Sequence, residues 1–173
     1  MIDRRGEMRI AEARGADVDR ITEIYGHFVE HSLATFDEVA PSGDDWRHKL
    51  ETVQARGLPF LVARAGDDVV GFAYAAPFRP KPAYRYTVED TIYVAPGEGG
   101  RGAGRLLLTE LIRRSAEAGM CRMIAVITDV GDPASAALHR RLGFSEAGRL
   151  TAVGFKHDRW IDTVLYQREL TAG

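Results

Sequence analysis

A chain of 173 residues is long enough for one sizeable hydrophobic core and short for two. Its apolar share of 45% and charged share of 28% are those of a globular protein, and a net charge of −2 gives no basis for a nucleic-acid or membrane partner. Cys121 is the single cysteine, so no internal disulfide can form and a reducing, cytoplasmic setting is expected. No apolar run approaches the ~18 residues of a membrane span, and residues 1–6 lack the apolar centre of a signal peptide.

In chain order, residues 8–13 alternate apolar and polar as a half-buried strand does. Asp17 is placed to cap a helix in which Val18, Ile21, Tyr25 and Phe28 recur at three- and four-residue steps. Ser42 followed by Asp45 is a capping-box signal, opening a helix with Trp46, Leu50 and Val53 on one face and Gly57 as its stop. Residues 60–64 and 69–75 read as a hairpin around Gly66-Asp67-Asp68, and the three prolines of residues 77–82 predict a stiff connector without regular structure. A strand over 87–94 leads through five glycines into a helix over 103–118, with Leu107, Leu108, Leu111 and Ile112 as its buried stripe. A buried strand follows at 123–128. Asp132-Pro133 then opens a short helix reaching Leu142, and two strands near 144–150 and 160–170 close the chain.

The glycine loop carries the first chemical signal. Gly97, Gly99 and Gly102 match G-x-G-x-x-G, with Asp129 available as the acid of a dinucleotide site. Against that reading, Glu89 and Asp90 interrupt what should be a wholly apolar strand, and no further strand–helix–strand units follow. A pyrophosphate cradle fits better: glycine frees successive backbone N–H groups at a helix start, and Arg101 and Arg105 add charge-assisted contacts. His27, Glu30 and His31 match H-x-x-E-H, but Phe28 and Val29 belong to the core side and no third ligand is evident, so no metal is expected.

The turn Gly99-Gly100-Arg101-Gly102-Ala103-Gly104, between its strand and helix, resembles the acetyl-CoA motif of the GNAT N-acetyltransferases, Gln/Arg-x-x-Gly-x-Gly/Ala. The element order is also that of this family, over roughly residues 9–170. More narrowly, TVEDTIYV at 87–94, LHRRLGF at 138–144, GFKHDRW-x-D at 154–162 and ATFDEVAPSGDDW at 34–46 are similar to the phosphinothricin and methionine sulfoximine/sulfone N-acetyltransferases. The resemblance departs at Gly99, where Gln or Arg is usual, and at Asp132, where Asn is usual.

The resemblance implies an α/β GNAT acyl-CoA N-acyltransferase fold: one domain over residues 1–173, with 1–7 a loose extension. Its mixed seven-stranded twisted sheet would be flanked by about four helices and splayed at the cofactor site. It further implies acetyl transfer from acetyl-CoA to the α-amino group of a small amino acid or analogue, in a homodimer. Ile92, Tyr93 and Val94, residues 99–105, Asp132 and Ser135 would hold acetyl-CoA, and Glu89 would be the general base. His139 and Tyr166 are candidate proton donors. Phe36, Arg79, Pro80, Lys81, Arg85, Glu89, Asp90 and Thr91 form the expected substrate side. A protein N-terminus or a polyamine as acceptor, and a non-catalytic acyl-CoA-binding domain, remain open at this point.

Overall fold

The computed structural model describes residues 8–171, so the expected extension at 1–7 lies outside the described residues. The elements run β1 (Met8–Glu12), α1 (Val18–His31), α2 (Gly43–Ala55), β2 (Phe60–Ala65), β3 (Asp68–Pro77), β4 (Thr87–Val94), α3 (Ala103–Glu117), β5 (Arg122–Asp129), α4 (Ala134–Arg141), β6 (Ser145–Lys156) and β7 (Arg159–Glu169). All seven strands join one sheet in the order β1-β2-β3-β4-β5-β7-β6. Every pairing is antiparallel except β4 with β5, which α3 makes possible as the crossover a parallel pair requires. Among the described residues no helix is long and apolar enough to cross a membrane.

Local chemistry accounts for most of these boundaries. Ser42 Oγ accepts from the Asp45 N–H at 3.2 Å while the Asp45 carboxylate accepts from the Ser42 N–H at 2.8 Å, closing the capping box that starts α2. Asp17 behaves differently from the expectation. Its side chain makes no cap on α1; it accepts from the Arg14 N–H at 2.9 Å and pairs with the Arg64 guanidinium, fixing a 3-10 turn ahead of the helix. β3 also runs on to Pro77, and only Pro82–Tyr84, a 3-10 turn, breaks the connector.

Two cores sandwich the sheet. On one face α1 and α2 bring Tyr25 and Trp46 against Phe72 and Tyr93, with Tyr25–Trp46 and Tyr25–Tyr93 ring centroids 5.1 and 5.0 Å apart in edge-to-face packing. On the other face Leu107, Leu108 and Leu111 of α3 are fully buried, each contributing about 1.5–3 kcal/mol of hydrophobic stabilisation. Gly71 of β3 permits that approach: a Cβ there would lie 2.9 Å from the Tyr93 carbonyl oxygen and 3.2 Å from Leu107.

The last hairpin is longer than expected. β6 extends to Lys156, with its register shifted between Leu150 and Gly154 and Ala152 at a φ of 49°. The turn residues His157 and Asp158 take φ of 49° and 57°, the left-handed pair of a tight hairpin.

The middle of the sheet positions the site. β4 and β5 pair only at Thr87↔Arg122, Val88↔Met123 and Glu89↔Ile124. Beyond Glu89 the two strands part, while β4 stays paired to β3 through Val94 and β5 to β7 through Asp129.

A cleft between parted strands

The parity of the β4 backbone is fixed by three hydrogen bonds. The Thr87 carbonyl accepts from Phe78 N–H, and Ala95 N–H donates to Val70, both toward β3, whereas the Tyr86 carbonyl accepts from Cys121 on the β5 side. Backbone groups alternate along a strand, so those of Asp90, Ile92 and Val94 face the gap. The expectation grouped Tyr93 with its neighbours, but its backbone faces β3; its hydroxyl reaches the cleft wall and donates to the Ala34 carbonyl at 3.2 Å.

The gap opens into a cleft of about 750 Å³. One wall is the glycine loop, where Gly97, Gly100 and Gly102 adopt φ of 81°, 74° and 92°. No side chain caps α3 at Gly102, which leaves first-turn N–H groups pointing out of the helix. Glu98, Gly99, Gly100, Ala103, Gly104 and Arg105 line this end, and Arg101, itself outside the lining, is held in an ion pair with Glu98 at 2.6 Å. Asp132 and Ser135 line the opposite side at the start of α4. The sequence position of Asp132 suggests a cap on α4; the cap position falls on Pro133 instead, and the Asp132 carboxylate accepts from the Ala134 N–H at 2.9 Å in a turn one residue ahead of it.

At the other end stand Glu89, Thr91 and Phe36. Burial pushes the Glu89 carboxyl above the usual range; the charge of Asp90 adds to this and that of Arg79 partly offsets it. Asp90 projects to the opposite strand face and is buried. Its carboxylate lies 2.8 Å from His139 Nε2, and the Ser135 carbonyl lies 2.8 Å from His139 Nδ1. Both oxygens are acceptors, so the arrangement favours the doubly donating imidazolium form of the ring. Burial opposes that charge, but the bond to Asp90, its negative charge and the Ser135 carbonyl outweigh it and hold His139 above the usual histidine range.

Several expected residues stand apart from the cleft lining. Tyr166 is buried outside the cleft lining, with its hydroxyl accepting from Arg140 at 2.8 Å, so its proton does not face the cleft. The Arg85 guanidinium lies 4.7 Å over the Tyr86 ring and donates to the Pro82 carbonyl, and Pro80 and Lys81 are exposed beside it. Arg79 lies 4.8 Å over the Phe78 ring, outside the lining although its charge is felt at Glu89.

Residues that the sequence did not single out as site residues stand behind Thr35, which lines the cleft next to Phe36. Thr35 Oγ1 is 2.7 Å from Tyr25 Oη, the Asp37 carboxylate accepts from that hydroxyl at 2.6 Å, and Lys156 Nζ donates to the Thr35 carbonyl at 2.9 Å. Burial raises the Tyr25, Tyr74 and Tyr93 phenols above their ordinary range, so all three stay neutral. Their only sequence signal was polar atoms at apolar helix and strand positions. Among the described residues no group of three or more His, Cys, Asp or Glu side chains could hold a metal ion.

A mixed sheet parted at its parallel pair, between a glycine-lined helix start and a half-buried carboxylate, is the arrangement expected of the acyl-CoA N-acyltransferase class. Residues 24–144 match the model of the acetyltransferase (GNAT) family. The chain belongs to that family and is an acetyl-CoA-dependent N-acetyltransferase, as the motif at 99–104 led us to expect. It is 46% identical to the phosphinothricin N-acetyltransferase of Alcaligenes faecalis over 92% of this chain and 81% of the relative. It is 37% identical to the L-methionine sulfoximine/L-methionine sulfone acetyltransferase of Salmonella typhimurium over 94% of this chain and 95% of that one. The crystal structure of a phosphinothricin acetyltransferase from Sinorhizobium meliloti in complex with acetyl-CoA superposes with a TM-score of 0.91 at 43% identity, covering 95% and 89% of the two chains. The cofactor expectation stands with it, and the dinucleotide alternative falls.

Proposed function

We propose that this enzyme acetylates the α-amino group of a small amino acid or analogue of the methionine sulfoximine, methionine sulfone or phosphinothricin type. The observation that carries the reading is Glu89, set on the last β4–β5 rung with its pKa raised and opening into the cleft that holds the glycine cradle. Amino-acid analogues rather than peptides or polyamines are favoured by the relatives' names.

The cradle at residues 99–105 fits the pyrophosphate of acetyl-CoA, and the open backbone of Asp90, Ile92 and Val94 fits its amide-bearing arm. Bound there, acetyl-CoA supplies the thioester. Glu89 takes the proton of an ammonium whose pKa is about 8, directly or through water, freeing the lone pair for attack in a ternary complex. The N–H groups of Ile92 and Val94 meet the charge that develops on the thioester oxygen. A thiol of pKa about 8.5 leaves without a strong acid, consistent with His139 having both nitrogens engaged. Arg79, whose charge reaches Glu89, is the arginine assigned to the substrate carboxylate, with Thr91 beside it. A cytoplasmic homodimer completes the reading; Leu150, Val153, Phe155 and Trp160 expose apolar surface on β6–β7 that a second copy would cover.

The test is CoA-thiol release with the three amino-acid analogues, a peptide and spermidine offered separately, repeated with Glu89→Gln. Turnover confined to the analogues, lowered about 10²–10⁴-fold in Glu89→Gln with acetyl-CoA binding kept, is the expected result. Full activity of Glu89→Gln across pH would remove the base assignment, and preference for the peptide or spermidine would remove the substrate class.

A further inference from the structure

We propose that Gly154, on β6, sets the length of acceptor side chain this enzyme accepts by fixing where the Phe36 ring stands; this rests on the acceptor reading above. Phe36 is 118 residues away in sequence, yet its ring sits directly on the Gly154 backbone. A Cβ built on Gly154 would overlap Cζ and Cε2 of that ring and lie 2.7 Å from Cε1. Gly154 has no positive φ, so its backbone would accept any side chain and the restriction is purely one of space. The glycine is buried, whereas Phe36 is 39% exposed and forms part of the cleft wall.

Neither backbone is free to retreat. On the Phe36 side, the Ala34 carbonyl accepts from Tyr93 Oη at 3.2 Å and the Thr35 carbonyl from Lys156 Nζ at 2.9 Å. Thr35 Oγ1 holds the Asp37 N–H at 3.2 Å, and the Asp37 carboxylate is tied to Tyr25. On the other side, Gly154 is paired with Ile161 of β7, and Lys156, two residues along on the same buried face, makes the bond to Thr35. Only the torsions of the Phe36 side chain are left to absorb an added methyl. The open space beside the ring is the cleft, whose lining also includes Glu89 and Thr91. A methyl at 154 therefore pushes the ring toward the acceptor and shortens the space for its side chain, while the glycine cradle for acetyl-CoA is untouched.

The experiment compares wild type, Gly154→Ala, Phe36→Ala and the double variant. For each, kcat/KM is measured for L-methionine sulfone and for the shortest amino acid that the wild-type enzyme turns over. The long-to-short ratio is expected to fall about tenfold in Gly154→Ala, the scale of a methylene misfit in an apolar pocket. The KM for acetyl-CoA should be unchanged, and adding Gly154→Ala to Phe36→Ala should leave the ratio where it was. A ratio moved by less than about twofold in Gly154→Ala, or moved equally in both backgrounds, overturns the inference. If Gly154→Ala fails to fold, the double variant must recover its melting temperature, since the ring is the obstacle; failure to recover also overturns it. A wild-type enzyme that acetylates no amino acid refutes the substrate reading instead, and the ratio is then read on peptides beginning with leucine or glycine.

Discussion

Replacing Asp90 by asparagine keeps the shape of the side chain and removes the charge that His139 faces. Asp90 is 8% exposed and His139 1%, so the imidazolium would be left in a dry setting with a neutral partner. Removing one member of a buried pair costs about 3–5 kcal/mol. At the lower end, and with about 2–4 °C per kcal/mol for a domain of this size, melting should drop by about 6–12 °C. The pH dependence follows from the raised pKa of His139. Its contribution to stability is complete below the ordinary histidine value of about 6.5 and is lost as pH rises through the higher folded value. The gap between wild type and Asp90→Asn is therefore widest near about pH 6 and narrows toward about pH 9. Urea unfolding followed by circular dichroism at both pH values measures it. An equal loss at the two pH values, or a loss below about 1 kcal/mol, would show that the two side chains do not form a charged pair.

Two further outcomes test the cleft from its rim and its floor. The charge of Arg79 favours ionised Glu89, so Arg79→Gln should move the acidic limb of the kcat/KM profile to higher pH; an unmoved limb separates Arg79 from the base. Gly102 sits at a φ of 92° with nothing within 4 Å of an added Cβ, so the cost of Gly102→Ala is conformational. At about 1–2 kcal/mol it should lower melting by about 2–8 °C and weaken acetyl-CoA binding in calorimetry; unchanged affinity would take the loop out of the site.

Much of the frame was legible because local signals coincided. The strand over 87–94 ends where glycines begin, and the Ser42–Asp45 box starts α2 where the pattern placed it. β6 was underestimated because Gly154, the register shift after Leu150 and the positive φ of Ala152 break the alternation by which a strand is recognised. Tyr166 looked available because a hydroxyl is visible in a sequence and its burial away from the cleft is not. The Asp90–His139 pair spans 49 residues, and each partner alone read as a candidate for other work. Phe36 was singled out, but its seat on Gly154 is a contact between a loop and the β6 strand, 118 residues apart, that no periodicity encodes.

The parting of β4 from β5 has a consequence for behaviour in a crowded solution. From Asp90 to Val94 the side of β4 that faces β5 carries unpaired strand backbone, the feature by which sheets recruit foreign strands and aggregate. Here that backbone lies in the interior of the sheet, shielded by β5 on one side and by the glycine loop and α4 at the ends of the cleft. Opening the sheet in its interior thus offers strand backbone to a ligand in the cleft without creating a further outer edge.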